Sequence, residues 1–344
     1  MREPVLLVTG ANGEIGHGLI TRLADEGRRI VALDLSALDA SLVPRCAEAI
    51  QGSILDPALL SRIVSRYEFT VIYHLAALLS TRAEFTPRAA HDVNVQGTLN
   101  LLEMAAEQTE WSGRRVKFLF PSSIAVYGLP DLETKRQSGR ILEKSWNLPT
   151  TMYGCNKAYC EHLGRYYASH YRQLGAHAGT QGVDFRSLRF PGLLSVATMP
   201  SGGTSDFLPE MIHAAAAGRP YECFVRDDTR IPFMAMPDAI RALLMLETAD
   251  EEQLSWRVYN VTSFNPSAGE FAVLVRERWP AARTSFVPHE KRQSIVDSWP
   301  ADVNDDAARK DWGWKPEFDL LATLDRYFVP GFRIRDGHSA RTLA

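Results

Sequence analysis

Two residues four apart, Tyr153 and Lys157, have the chemistry to move a proton beside a carbon that gives up a hydride. On a helix that spacing puts both on one face, about a turn from each other. A free tyrosine titrates near pH 10, too high for a base at neutrality. A neighbouring ammonium favours the phenolate, and so does the positive ring of an oxidised nicotinamide. Such a base contributes roughly 10²–10⁴ in rate by taking a hydroxyl proton as hydride leaves. The same lysine can hold the nicotinamide ribose. Ser122 and Ser123 follow an apolar run at 116–121 and can bond a substrate oxygen and help carry its proton. A surface Tyr–Lys pair is the ordinary alternative. What sets this pair apart is its company.

That company is a glycine turn far upstream, Gly10-Ala-Asn-Gly-Glu-Ile-Gly16, between an apolar strand and a helical stretch. Glycines there permit a tight turn and close approach of a pyrophosphate, and the helix N-terminus supplies N–H donors and dipole. The cofactor stretch therefore includes Gly10, Asn12, Gly13, Glu14, Ile15 and Gly16. Asp34 ends the next strand, 18 residues beyond Gly16. A carboxylate there accepts from adenine-ribose hydroxyls and repels a 2′-phosphate. Leu35 and Ser36 follow in place of an arginine, so NAD is expected over NADP. A plain strand-terminal aspartate is the other reading.

Further downstream, Ser53 and Ile54 can flank the adenine, and Leu75, Ala76 and Ala77 let a cofactor lie against backbone. Asp56 precedes Pro57 and is equally an N-cap. Asn94 is either a solvated helical residue or a clamp on the active-site loops. Pro121, and the turn with Phe190, Pro191 and Leu193, are expected beneath the nicotinamide, acting through backbone.

The elements that must position these residues alternate. Strands are predicted at Val5–Val8 and near 29–34, 71–76, 116–121 and 183–189, with helices at 14–26, 57–67, 87–109 and 153–172. Apolar strands alternating with helices predict an α/β fold, a doubly wound parallel sheet covered on both faces. From about 192 short elements mix with Pro- and Gly-bearing loops, which predicts a smaller C-terminal α/β substrate lobe. The expected organisation is an NAD-binding Rossmann domain over 1–191, to which 235–262 returns, then a substrate lobe over 192–330 and a tail over 331–344.

The chain has 344 residues, 45% hydrophobic and 23% charged, with a net charge of −3. That balance argues against nucleic acid and anionic membranes, both of which reward a basic excess. The strand starting within a few residues of Met1 leaves no room for a signal peptide. Four cysteines without paired zinc spacing suit a reducing cytoplasm, and the nine histidines form no ligand motif, so no metal is expected.

Taken together, the glycine turn, Leu75-Ala-Ala77, Asn94, Ser123 and Tyr153/Lys157 resemble the extended short-chain dehydrogenase/reductase superfamily over roughly residues 4–195. The second half is similar to the short-chain-type L-threonine 3-dehydrogenases. That likeness is carried by Leu188-Arg-Phe-Pro-Gly192, Gly202-Gly-Thr-Ser-Asp206, Cys223-Phe-Val-Arg-Asp-Asp-Thr229, Met236-Pro-Asp-Ala239, Asp297-Ser-Trp-Pro300 and 305–314. The resemblance implies that Ser80, Thr204, Asp206 and Trp299 line an amino-acid pocket with Ser123 and Tyr153. Each also has a plain reading: Thr204 or Ser205 as a helix cap, Asp206 as a first-turn acid, Trp299 as lobe core.

The implied reaction is NAD-dependent oxidation of L-threonine at its β-hydroxyl to 2-amino-3-oxobutanoate. A nucleotide-sugar 4-epimerase is the enzymatic alternative, but the arginine slot before Asp238 holds Ile231, with Arg230 displaced by one. A dehydratase would want an acidic pair where Ile124 and Ala125 follow Ser123. A non-catalytic NAD-sensing protein is the third class, and would sooner have lost Tyr153 or Lys157. The resemblance implies a homodimer through the helices near 95–108 and 153–172. The segments at 136–146 and 174–182 are longer than that family's usual connections, and the loop at 174–182, at the end of one of these helices, sets a monomer beside the homodimer as an alternative.

Overall fold

Valine, leucine and isoleucine runs without polar alternation have no face to offer water and must be covered on both sides. In the computed structural model, which describes residues 3–174, 182–200 and 202–334, these runs form the middle of a sheet. Its strands are β1 (Glu3–Thr9), β2 (Ile30–Asp34), β3 (Glu48–Gln51), β4 (Tyr67–His74), β5 (Lys117–Ser123), β6 (Asp184–Phe190) and β7 (Val258–Asn260). They make one seven-stranded parallel sheet in the order β7-β6-β5-β4-β1-β2-β3. Val8 pairs with Ala32 on one side and Tyr73 on the other. The chain winds outward in both directions from the β1–β4 pair. That is the switch point at which ligands bind in open α/β sheets, outside the carboxyl ends of the strands.

Local chemistry explains most element ends. Helix Glu14–Asp25 follows the glycine turn and no side chain caps it. Helix Pro57–Arg66 is capped by Asp56, whose carboxylate accepts from Ala58 and Leu59, so the N-cap reading of Asp56 holds. The helix predicted over 87–109 is broken into Pro87–His91, a π-helical turn at Asp92–Gln96 and Gly97–Ser112. Helix Met152–Ser169 is capped by Thr151, which accepts from the Gly154 N–H. Strands β3 and β7 were not expected. One is half-buried and the other has three residues, too short to show a period.

The chain divides into two compact units. The first holds Met1–Val126, Thr151–Arg189 and Ile240–Tyr259; the second holds Tyr127–Thr150, Phe190–Ala239 and Asn260–Ala344. The first unit's core joins β1, β4, β5 and β6 to the helices on them through residues such as Leu7, Phe69, Leu101, Phe118 and Phe185. The second contains parallel strand pairs Gly192–Leu194 with Phe233–Ala235, Tyr221–Cys223 with Thr284–Phe286, and Arg140–Ile141 with Asp302–Val303. The expected boundary at 191 therefore differs at Tyr127–Thr150. Those residues attach to later sequence: Leu129 N–H donates to Ser298 O, the Tyr127 hydroxyl to Asn260 Oδ1, and Arg140 pairs with Asp305. Most of the expected insertion at 174–182 and the end of the 331–344 tail lie outside the described residues. No described helix is long and apolar enough to cross a membrane.

Helix Met152–Ser169 approaches the sheet most closely at Gly164, where an added Cβ would lie 2.2 Å from the Phe185 ring. Phe185 is itself locked against Phe118 and Phe120. Gly164→Ala is expected to destabilise by about 1–3 kcal/mol through overpacking. Urea denaturation measures it; an unchanged midpoint would mean the helix is free to move outward.

Candidate active site

Gly10 has φ +67°, and an added Cβ would lie 2.5 Å from Ala76 N, so the two loops at the ends of β1 and β4 meet backbone to backbone. An added Cβ on Gly16 would strike Ala11 O at 2.4 Å. Gly13 is different: its missing Cβ would meet only Gly10 O, leaving open space beside a helix end that no side chain caps. An uncapped N-terminus behind small residues fits a pyrophosphate. Asp34 accepts from Asn12 N–H at 2.9 Å and from the backbone and hydroxyl of Ser36 at 3.0 and 2.9 Å. A carboxylate takes about four donors, so room is left for about one ribose hydroxyl. Leu35 beside it is 75% exposed, an apolar surface at the strand end where an adenine would need one.

Two expected cofactor contacts are revised. The Asn12 carboxamide donates to Ser36 Oγ and Ala37 O and accepts from Asp39 N–H, which makes it a staple for the 36–39 loop. Ile54 is buried, its side chain lies where a Cβ on Gly97 would be, and its carbonyl accepts from Asn100. Only its backbone edge is left for a ligand. Ser53 accepts from Leu55 N–H.

Asn94 resolves in favour of the clamp. It is buried in the π-helical turn, accepts from Leu78 N–H at 2.7 Å and donates to Leu78 O at 3.0 Å. Both polar groups of one residue in the Leu75–Leu79 loop are thereby held, just before Ser80 opens helix Ser80–Phe85. The irregular turn leaves Asn94 O to side chains, and Thr98 Oγ1 and Cys160 Sγ donate to it. Thr98 Oγ1 bonds His74 Nε2 at 2.9 Å, and His74 Nδ1 bonds Thr9 Oγ1 at 2.9 Å. Since Thr98 donates to Asn94 O, the histidine donates from Nε2 and accepts at Nδ1. His74 is thus neutral, and burial with the nearby Lys157 charge lowers its pKa to about 3.

Tyr153 stands in the first turn of its helix, and the preceding Met152 N–H is held by Glu84 Oε1 at 2.7 Å. Lys157, one turn on, donates to Pro121 O at 2.6 Å, with its ammonium 4.4 Å from the centre of the Phe120 ring and 5.6 Å from that of Tyr153. Burial lowers Lys157 to about 8. Burial also pushes Tyr153 well above the usual phenol range. The phenolate needs further positive charge in the site.

Ser123 ends β5, and its oxygen accepts from Ala125 N–H, which leaves its proton to give. Ser122 is not beside it in function. Its hydroxyl donates to Glu161 Oε1 at 2.6 Å inside the core, so the expectation that both serines carry protons reduces to Ser123. Glu161 is held by Arg189 through two bonds of 2.8 and 2.6 Å, with both side chains 2% exposed. Loss of either would strand a buried charge at a cost of about 3–5 kcal/mol. Sequence reasoning missed Glu161, Arg189 and His74. The signal was present: Glu161 extends the Tyr153–Lys157 face by one more turn, and a charge inside an apolar strand must be paired.

Of the remaining expected residues, Ser80, Ser123 and Tyr153 belong to the first unit and Thr204, Asp206 and Trp299 to the second. Asp206 precedes helix Phe207–Ala216 and accepts from Gly203 N–H at 2.6 Å, while Thr204 is buried. Trp299 is 3% exposed, with no partner for its indole N–H among the described residues. Pro121, Phe190 and Pro191 are buried and Leu193 is half-buried.

The family model described as "NAD dependent epimerase/dehydratase family" matches residues 6–262, about three-quarters of the chain. This chain belongs to the NAD-dependent epimerase/dehydratase family. Its cofactor is NAD, which the open glycine turn and Asp34 fit. Among its relatives is the mitochondrial L-threonine 3-dehydrogenase of Bos taurus, 34% identical over 323 residues, covering 92% of this chain and 79% of the relative. A partial-consensus L-threonine 3-dehydrogenase has a solved structure of TM-score 0.84 at 35% identity, covering 95% of this chain and 99% of that one. A monomeric L-threonine 3-dehydrogenase from a metagenome gives 0.82 at 34%, covering 96% and 99%.

A neutral His74 that stays unprotonated when folded makes this family member sensitive to acid. Below about pH 6.5 the unfolded chain binds a proton at His74 that the folded one refuses until about pH 3, so stability falls with pH across that window. The urea midpoint should drop between pH 7 and 5, and His74→Gln should flatten the slope. Parallel slopes would show that other groups set the acid response.

Proposed function

We propose that this chain oxidises L-threonine at its β-hydroxyl to 2-amino-3-oxobutanoate. The observation that carries the reading is the Tyr153–Lys157 pair, set on one helix turn behind an NAD-type glycine loop. Bound NAD supplies a hydride-accepting carbon and a positive ring whose field favours the Tyr153 phenolate. The chain's own residues do the rest. Tyr153 takes the hydroxyl proton from the substrate, and Ser123 donates to the same oxygen and steadies it. Lys157, anchored on Pro121 O, adds positive charge near the phenol and holds the ribose. Asn94 keeps the Leu75–Leu79 loop in place, and with it Ser80.

Recognition of the amino acid is assigned to Ser80 and, in the second unit, to Thr204, Asp206 and Trp299, as the resemblance to threonine dehydrogenases implies. Asp206 offers a carboxylate to the ammonium. An epimerase reading gains nothing from Arg230, whose guanidinium is paired with Glu270 and donates to Asn265 O.

The test is NADH absorbance at 340 nm with purified protein, NAD and L-threonine, beside D-threonine, L-allo-threonine and NADP. Turnover is expected with L-threonine and NAD. Tyr153→Phe should lose at least about 10²-fold in kcat while keeping NAD affinity. No turnover from protein that binds NAD would overturn the threonine assignment.

A further inference from the structure

Gly203 has both backbone polar groups held from two directions within the second unit. Its N–H donates to Asp206 Oδ2 at 2.6 Å. Its carbonyl accepts from the Asp206 N–H at 3.1 Å and from Arg292 Nη2 at 2.7 Å. The turn is tight: Gly202 has φ +83°, and a Cβ on Gly203 would lie 2.9 Å from the Asp206 carboxylate. Asp206 closes the turn from inside, and Arg292 holds it from outside.

Arg292 is itself fixed. Its guanidinium lies 3.2 Å from the centre of the Phe224 ring and 3.9 Å from Glu210. Phe224 O accepts from His289 N–H, which ties the residue just after strand Tyr221–Cys223 to the start of the arginine's helix. That helix, Glu290–Asp297, runs on to Trp299, whose N–H returns to Val296 O. One arginine thus joins the segment carrying Thr204 and Asp206 to the segment carrying Trp299.

We propose that Arg292 is a positioning residue for amino-acid recognition, holding the Gly202–Asp206 turn so that Thr204 and Asp206 meet the substrate in a fixed arrangement. The inference rests on the reading of Thr204 and Asp206 as amino-acid-binding residues. Arg292 acts through the Gly203 carbonyl, so its loss acts on binding of the amino acid and leaves the chemical step alone. A planar guanidinium suits both tasks, stacking its flat face on Phe224 while one N–H reaches a carbonyl; a lysine has no flat face to stack.

The experiment uses the full chain with Arg292→Met, Arg292→Lys and Phe224→Leu. Arg292→Met should raise KM for L-threonine about tenfold, the worth of one hydrogen bond from a charged group, with kcat within about twofold. NAD affinity should be unchanged, and Arg292→Lys and Phe224→Leu should each give part of the effect. Hydrogen exchange of the 202–207 amides without substrate should quicken in Arg292→Met. Unaltered KM, or kcat and NAD affinity falling together with it, would overturn the assignment. A wild-type chain inert toward L-threonine would refute the substrate reading, and the exchange arm would still decide whether Arg292 holds the turn. If Arg292→Met does not fold, Arg292→Lys and Phe224→Leu carry the same comparison.

Discussion

A carboxylate and a guanidinium, both removed from water, hold helix Met152–Ser169 to the sheet. Glu161 lies two turns beyond Tyr153 and one beyond Lys157, so anchoring it fixes the rotation of the helix about its own axis. Arg189 anchors it with two bonds from β6, and Ser122 adds a third from β5. Such a pair yields little net stability, because desolvation offsets most of its attraction. What it does supply is directional: a fork of donors tolerates no helix rotation, whereas an apolar contact at Gly164 would tolerate some. The orientation of Tyr153 is thus set two turns away from it, by a pair in the core.

A second buried chain does comparable work on the cofactor side. Thr9, His74, Thr98 and the carbonyl of Asn94 run from β1 through β4 into the π-helical turn. The extra residue of that turn frees a carbonyl for side-chain donors and turns the Asn94 carboxamide onto Leu78. An irregular helix is ordinarily a weak point. Here the irregularity is what lets one residue serve the helix and the neighbouring loop together. The phenol of Tyr153, raised by burial and beside a lysine lowered by it, waits in an apolar setting where one further charge has a large effect.

Much of this was legible in the residues. The glycine turn, Asp34, the Tyr153–Lys157 pair and the alternation of strands and helices are local patterns, and spacing along the chain reports local geometry directly. Partnerships between distant segments were not. Asn12 read as a cofactor contact because its neighbours in sequence are; its partners at 36–39 come from another strand end. Tyr127–Thr150 read as part of the first domain, and its bonds to Asn260, Ser298 and Asp305 lie far away in sequence. β3 and β7 escaped for lack of length. The role of Asn94 was left open because a carboxamide in a helix is ambiguous until the helix is known to be irregular.

Ser122 and Ser123 are neighbours in opposite settings, one buried in the anchor of helix Met152–Ser169 and the other half-buried at the end of β5. Successive residues of a strand face opposite sides. A slip of β5 by a single residue would turn each to the other's face, putting Pro121 in the place of Ser122 or Ile124 in the place of Ser123. Register in this strand is consequently guarded twice, by the apolar face of Phe118 and Phe120 and by the hydroxyl that only Glu161 can receive. A chain that misthreads here puts Pro121 or Ile124 at one of the two places and turns Phe118 and Phe120 away from Phe185, so a slipped strand is not expected to persist.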